Sequence, residues 1–130
     1  MDGAALGEIT PFAELTEAER EQLATVCSDV EVDAGTELVH EGDFGFTMFG
    51  IVSGTAEVSQ DGAVLRTLGP GDAFGEIAVL SGGRRSATVT ATSPMRLVAI
   101  MNRDVWRLEH DAPEVGAALR QTIADCLAAA

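Results

Sequence analysis

From Val30 to Met101 the chain breaks into short runs of β-branched and apolar residues: VEV, TELV, TMFGIV, GTAEVS, AVLRTL, SATVTAT and MRLVAIM. Most alternate apolar with polar side chains, the period of a strand with one buried face. Turn signals separate them: AG at 34–35, EGDFG at 41–45, SG at 53–54, DG at 61–62, GPGD at 69–72 and SP at 93–94. A spacing of about 8–12 residues between turns predicts about eight strands in a sandwich or barrel rather than a βαβ fold. Asp61-Gly62 between two alternating runs is the strongest hairpin signal, because a type I′ turn needs positive φ at both central residues.

Helical patterns flank the strands. In FAELTEAEREQLATVC, Thr16 followed three residues later by Glu19 reads as a capping box. Leu23 and Val26 continue an apolar side, and the acids at 14, 17, 19 and 21 form a wet face. After Met101 the helical period returns in NRDVWRLEH. Pro113 then opens EVGAALRQTIADCLAAA, with Val115, Leu119, Thr122, Ile123, Cys126 and Leu127 as a seam. Trp106 is expected in the core. The expected organisation is one domain over 1–130: a helix at 10–27, strands over 28–102 and two helices at 103–130.

The 130 residues suffice for one core, and the formal charge of −13 disfavours nucleic acid polymers and anionic lipid surfaces. A single small anion is a different case, since one or two local arginines in a walled pocket can outweigh the global field. Cys27 and Cys126 are expected to be buried, reduced thiols in helices. MDGAALGEIT has no basic leader, and no stretch approaches the ~20 apolar residues of a membrane span. The expected setting is cytoplasmic, with no membrane insertion. His40 and His110 are isolated, so no metal site is expected. No Ser-His-acid or Cys-His set stands at a suggestive spacing, which favours a binding module over an enzyme.

Two of the eight basic residues sit side by side in FGEIAVLSGGRRSATVTA, residues 74–91. Gly75 lets backbone approach a ligand. If Glu76 to Leu80 form one helical turn, its first amides offer donors to an oxyanion. Gly82-Gly83 bends the chain back, and Arg85 adds a charge-assisted pair to the same anion. Ser86 offers a further donor. The Glu76 carboxylate accepts only, and suits a ribose hydroxyl. An anion site beside a hydroxyl acceptor describes a nucleotide whose phosphate and sugar are close together.

These residues resemble the phosphate-binding cassette of the cyclic nucleotide-binding domain family, the cyclic AMP sensor module of catabolite-activator and kinase-regulatory type. Phe74-Gly75-Glu76, Ile77-Ala78-Val79-Leu80 and Arg85-Ser86-Ala87-Thr88 carry the likeness, with EGDFGFTMFGIVSGTAEV and LGPGDAFGE as further motifs, over about residues 10–127. The resemblance implies an eight-stranded jelly-roll with an N-terminal helix, a short cassette helix and C-terminal B and C helices. It implies that Arg85 grips a cyclic phosphate and Glu76 takes the ribose 2′-OH. Phe74, Gly75, Ile77, Ala78, Ser86 and Ala87 would line the cassette, and Leu119, Ile123 and Leu127 would be lid candidates. Arg84 stands where many members carry proline. Ser86 is similar to bacterial cyclic AMP sensors, so the implied ligand is cyclic AMP, with cyclic GMP second and no cofactor. The implied partner is an effector protein or fused effector domain. The alternative is a nucleotide-independent jelly-roll interaction domain.

Overall fold

The chain is described by a computed structural model over residues 3–10, 12–75 and 83–129, with side chains described from 5 to 125 within those ranges. Asp61 and Gly62 take φ of 51° and 81°. They close the hairpin between β4 (Ala56–Gln60) and β5 (Ala63–Leu68), with Gln60 opposite Ala63. The other strands among the described residues are β1 (Ser28–Val32), β2 (Glu37–Val39), β3 (Thr47–Ser53), β6 (Ala73–Phe74), β7 (Thr88–Ala91) and β8 (Met95–Met101). They pair antiparallel in two four-stranded sheets, β1-β8-β3-β6 and β2-β7-β4-β5. This is the jelly-roll order, and the two sheets face each other as a sandwich rather than closing into a barrel.

The two sheets bury their faces differently. The sandwich interior holds Val39, Ile51, Ala56, Val58, Leu68, Phe74, Val89, Ala91, Met95 and Leu97. A second core lies on the outer face of the first sheet, where Met48, Val98 and Ile100 pack beneath helices. β8 is therefore covered on both sides, and this is why MRLVAIM reads as an almost unbroken apolar run. AVLRTL, expected to be half-buried, is an edge strand with residues 63–67 exposed and only Leu68 buried.

The N-terminal segment is not one helix. The expected single helix over 10–27 is a 3-10 turn at Phe12–Glu14 followed by α2 (Glu17–Ala24). An unforeseen α1 (Gly3–Leu6) precedes them, with Leu6 buried. The capping box forms as expected. The Glu19 N–H donates to Thr16 Oγ1 at 3.2 Å, and the Thr16 N–H donates to Glu19 Oε1 at 2.8 Å. Cys27 lies between α2 and β1, half-buried rather than buried in a helix, and its burial pushes the thiol up.

Two helices follow β8, α3 (Asn102–Asp111) and α4 (Pro113–Ala129). They are locked to each other. A Cβ on Gly116 would lie 2.6 Å from the Glu109 Cα, and Arg120 Nη2 pairs with Glu109 Oε1 at 2.7 Å. Leu119 and Ile123 are fully buried among Leu6, Ile9, Phe12, Leu15 and Leu23. Trp106 is not a core residue: it is 67 % exposed and stacks on His110 at 5.6 Å. α3 buries Val105 and Leu108, and the residue after Val105 is turned about 100° away from that face.

Candidate anion-binding site

The loop at 42–45 and the segment 83–85 are zipped together through their backbones. The Gly42 N–H donates to the Arg85 carbonyl (2.9 Å), the Arg85 N–H to the Asp43 carbonyl (2.7 Å) and the Gly45 N–H to the Gly83 carbonyl (3.0 Å). Phe44 and Arg84 face each other as an isolated antiparallel bridge. Gly42 and Gly83 take φ of 89° and 112°, conformations that a Cβ would penalise. Thr88 Oγ1 accepts from the Glu41 N–H at 3.0 Å and so fixes the residue before the loop to β7.

This pairing carries the Arg85 side chain over the start of β3. Its Nη2 donates to the Thr47 carbonyl at 2.7 Å. A glycine stands on either side of the guanidinium. A Cβ at Gly45 would lie 2.7 Å from Nη2 and nearer still to Nε and Cζ. One at Gly75, where φ is 80°, would lie 2.8 Å from Nη1 and 2.8 Å from the Thr47 carbonyl oxygen. Arg85 thus occupies a slot that only residues without a side chain leave open.

The slot partly removes the guanidinium from water. Arg85 is half-buried, and burial pushes it below the usual arginine range, though a guanidinium stays charged in a protein. Among the described residues no carboxylate pairs with it. A partly desolvated cation is stabilised by an anion brought beside it. The planar fork of donors favours phosphate or carboxylate.

The other predicted site residues divide into three groups. Gly75 is brought to Arg85, and Ser86 is exposed beside it in sequence. Phe74 is 4 % exposed and stacks on Phe49 at 5.2 Å, so its side chain faces the sandwich interior and anchors the strand that ends at Gly75. Ala87 is half-buried against the same core. Glu76, Ile77 and Ala78, the expected helical turn and the Leu127 side chain lie outside the described residues. Leu119 and Ile123 are not brought to the described cassette residues, because they fill the core under the first sheet. They cannot cover a ligand while α4 stays packed there. Two further contributors, Gly45 and the Thr47 carbonyl, were not foreseen. Gly45 has no positive φ to explain it, so its one sequence signal is a glycine beyond what the turn needs.

Other candidates carry less chemistry. His40 Nδ1 lies 2.5 Å from Glu37 Oε1, and that carboxylate raises the imidazole pKa on an exposed surface. Among the described residues no group of three His, Cys, Asp or Glu side chains could hold a metal. A cavity of about 650 Å³ is lined by Glu31, Asp33, Ser53 and Arg96. Its acids, one of them 3.5 Å from Arg96, make it a poor seat for an anion. Among the described residues no helix is long and apolar enough to cross a membrane.

Residues 29–111 match the family model of the cyclic nucleotide-binding domain. The chain belongs to that family. It is 38 % identical over 101 residues to the cAMP-dependent protein kinase regulatory subunit of Yarrowia lipolytica, covering 76 % of this chain and 27 % of the relative. The chain therefore spans about a quarter of that relative's length. Its fold is similar to the N-terminal domain of a transcriptional regulator from Streptomyces coelicolor A3(2), with TM-score 0.82, 30 % identity, and 94 % and 90 % of the two chains covered. It is also similar to the regulatory domain of Toxoplasma gondii PKA crystallised with cAMP. That match has TM-score 0.72 and 31 % identity, and covers 81 % of this chain and 42 % of the other.

Proposed function

We propose that this chain is a regulatory sensor that binds cyclic AMP, in preference to cyclic GMP, at Arg85 and conveys occupancy to α3 and α4. The half-buried Arg85, seated between Gly45 and Gly75 with no described carboxylate partner, carries the reading. Cyclic AMP offers Arg85 a single phosphate whose two free oxygens suit a guanidinium fork. The relatives named for cAMP, and Ser86 after the arginine, support the adenine nucleotide. Glu76 is assigned the ribose hydroxyl, and Ile77, Ala78, Ser86 and Ala87 the remaining cassette contacts.

A short hydrogen-bonded route supports the coupling to the helices. The loop that seats Arg85 continues to Phe46, whose carbonyl accepts from the Asn102 N–H at 2.8 Å, at the start of α3. Thr47, which holds the Arg85 fork, is paired with Met101, the residue before α3. A shift at the slot thus reaches the helix start within one strand pair. Because Glu109, Gly116 and Arg120 lock α3 to α4, the two respond together. Ligand moves this equilibrium only through a difference in its affinity for the two helix positions.

Thermal unfolding with added nucleotide tests the reading. Cyclic AMP at 100 times its Kd should stabilise the chain by about 2.7 kcal/mol, a rise of several degrees in Tm. Cyclic GMP at the same concentration should give a smaller rise. An unchanged Tm at millimolar levels of both nucleotides favours the nucleotide-independent interaction domain instead.

A further inference from the structure

We infer that Arg84 is a positioning residue that braces segment 83–85 against the 42–45 loop and so holds Arg85 in its slot before ligand arrives. The inference rests on Arg85 being the anion contact. Arg84 is exposed, and a bare arginine beside an anion site would be expected to reach for the ligand itself. Its side chain is engaged elsewhere. Nη1 donates to the Gly42 carbonyl at 2.8 Å, and the guanidinium carbon lies 4.4 Å from the centre of the Phe44 ring. Both contacts fall on one short loop, the same loop that accepts the Arg85 N–H and makes room for the Arg85 guanidinium.

The backbone explains why a side chain is needed for this work. In the Phe44–Arg84 bridge the hydrogen bonds run from Gly45 to Gly83 and from Arg85 to Asp43, so the bridge does not use the Arg84 N–H. A single isolated bridge beginning at a glycine with φ of 112° is a weak clamp. The cation–π contact and the bond to Gly42 add two side-chain fastenings to it. Gly42 is then held from both sides, its N–H by the Arg85 carbonyl and its carbonyl by Arg84.

The test uses Arg84→Ala, Phe44→Ala, their combination and Arg84→Pro. It reads cyclic AMP affinity by calorimetry and amide hydrogen exchange at Gly45 and Arg85 in the ligand-free chain. Arg84→Ala and Phe44→Ala should each weaken binding by about fivefold and speed exchange at those two amides. The combination should be little worse than Arg84→Ala, since both variants open the same brace. Among the described non-glycine residues positive φ is confined to Asp61, and the bridge leaves the Arg84 N–H unused, so proline removes no bridge hydrogen bond there. Arg84→Pro stiffens the backbone without breaking the bridge and should regain most of the affinity lost in Arg84→Ala. If Arg84→Ala loses affinity with no change in exchange, and proline does not restore it, Arg84 contacts the ligand directly and the brace is wrong. If wild type takes up neither cyclic nucleotide, the sensor reading fails while exchange still judges the brace. Faster exchange in Arg84→Ala and Phe44→Ala then supports it, and unchanged exchange overturns it.

Discussion

Arg85→Ala is expected to weaken cyclic AMP binding by about a hundredfold, equivalent to about 3 kcal/mol. The variant removes the one described cation that is partly desolvated, seated by two glycines and without a described carboxylate partner. Folding stability should change by no more than about 1 kcal/mol, because the lost bond to the Thr47 carbonyl is offset by release of a half-buried charge. Arg85→Lys keeps the charge but presents no planar fork, so it should recover only part of the affinity. Competition against a fluorescent cyclic nucleotide, run beside thermal unfolding, separates the two effects. Wild-type affinity in Arg85→Ala would move the anion contact to another residue.

Gly45→Ala is expected to remove binding almost as completely, although residue 45 need not touch the ligand. Its new Cβ would overlap the Arg85 guanidinium and push it out of the slot. Overpacking of this kind costs stability by about 1–3 kcal/mol. The double variant Gly45→Ala/Arg85→Ala should bind no worse than Arg85→Ala alone, since both changes act through one side chain. Gly35→Ala is the control. Gly35 has φ of 91° and no neighbour within 4 Å of a built Cβ, so it should lose about 1 kcal/mol of stability and keep its affinity. If Gly45→Ala binds as wild type does, Arg85 does not need its observed seat.

Features that depend on adjacent residues are legible in the sequence, and those that depend on distant ones are not. Asp61-Gly62 and Thr16–Glu19 were legible because each signal is local: φ at two adjacent residues, or one cap bonded three residues on. The choice of Arg85 over Arg84 rests on its register with Glu76 and Ala87-Thr88, and the fold brings its guanidinium beside Gly75. The Gly45 role was not legible, because it depends on a side chain forty positions later in the chain folding across it. The Thr47 contribution is a backbone carbonyl, which no residue type announces. Alternation located most strands but misjudged burial at the extremes. MRLVAIM is buried on both faces, whereas AVLRTL ends up on an open edge.

The helices were found by period, yet their partners were not. The seam through Leu119 and Ile123 fits a lid and a core equally well on a helical wheel. Only the location of Leu6, Ile9 and Phe12 shows which face it meets. Trp106 erred the other way: its large apolar ring suggested burial, but Val105 and Leu108 define the inner face of α3 and leave it outside. Arg84, an oddity of charge in the sequence, acquires partners in Gly42 and Phe44 only once the loop is folded.

Direct calorimetric titration of the wild-type chain tests whether the Arg85 slot receives a cyclic nucleotide. A saturable heat is expected, with one cyclic AMP bound per chain and weaker binding of cyclic GMP. No heat from either nucleotide at millimolar concentration, with the chain folded, would contradict it.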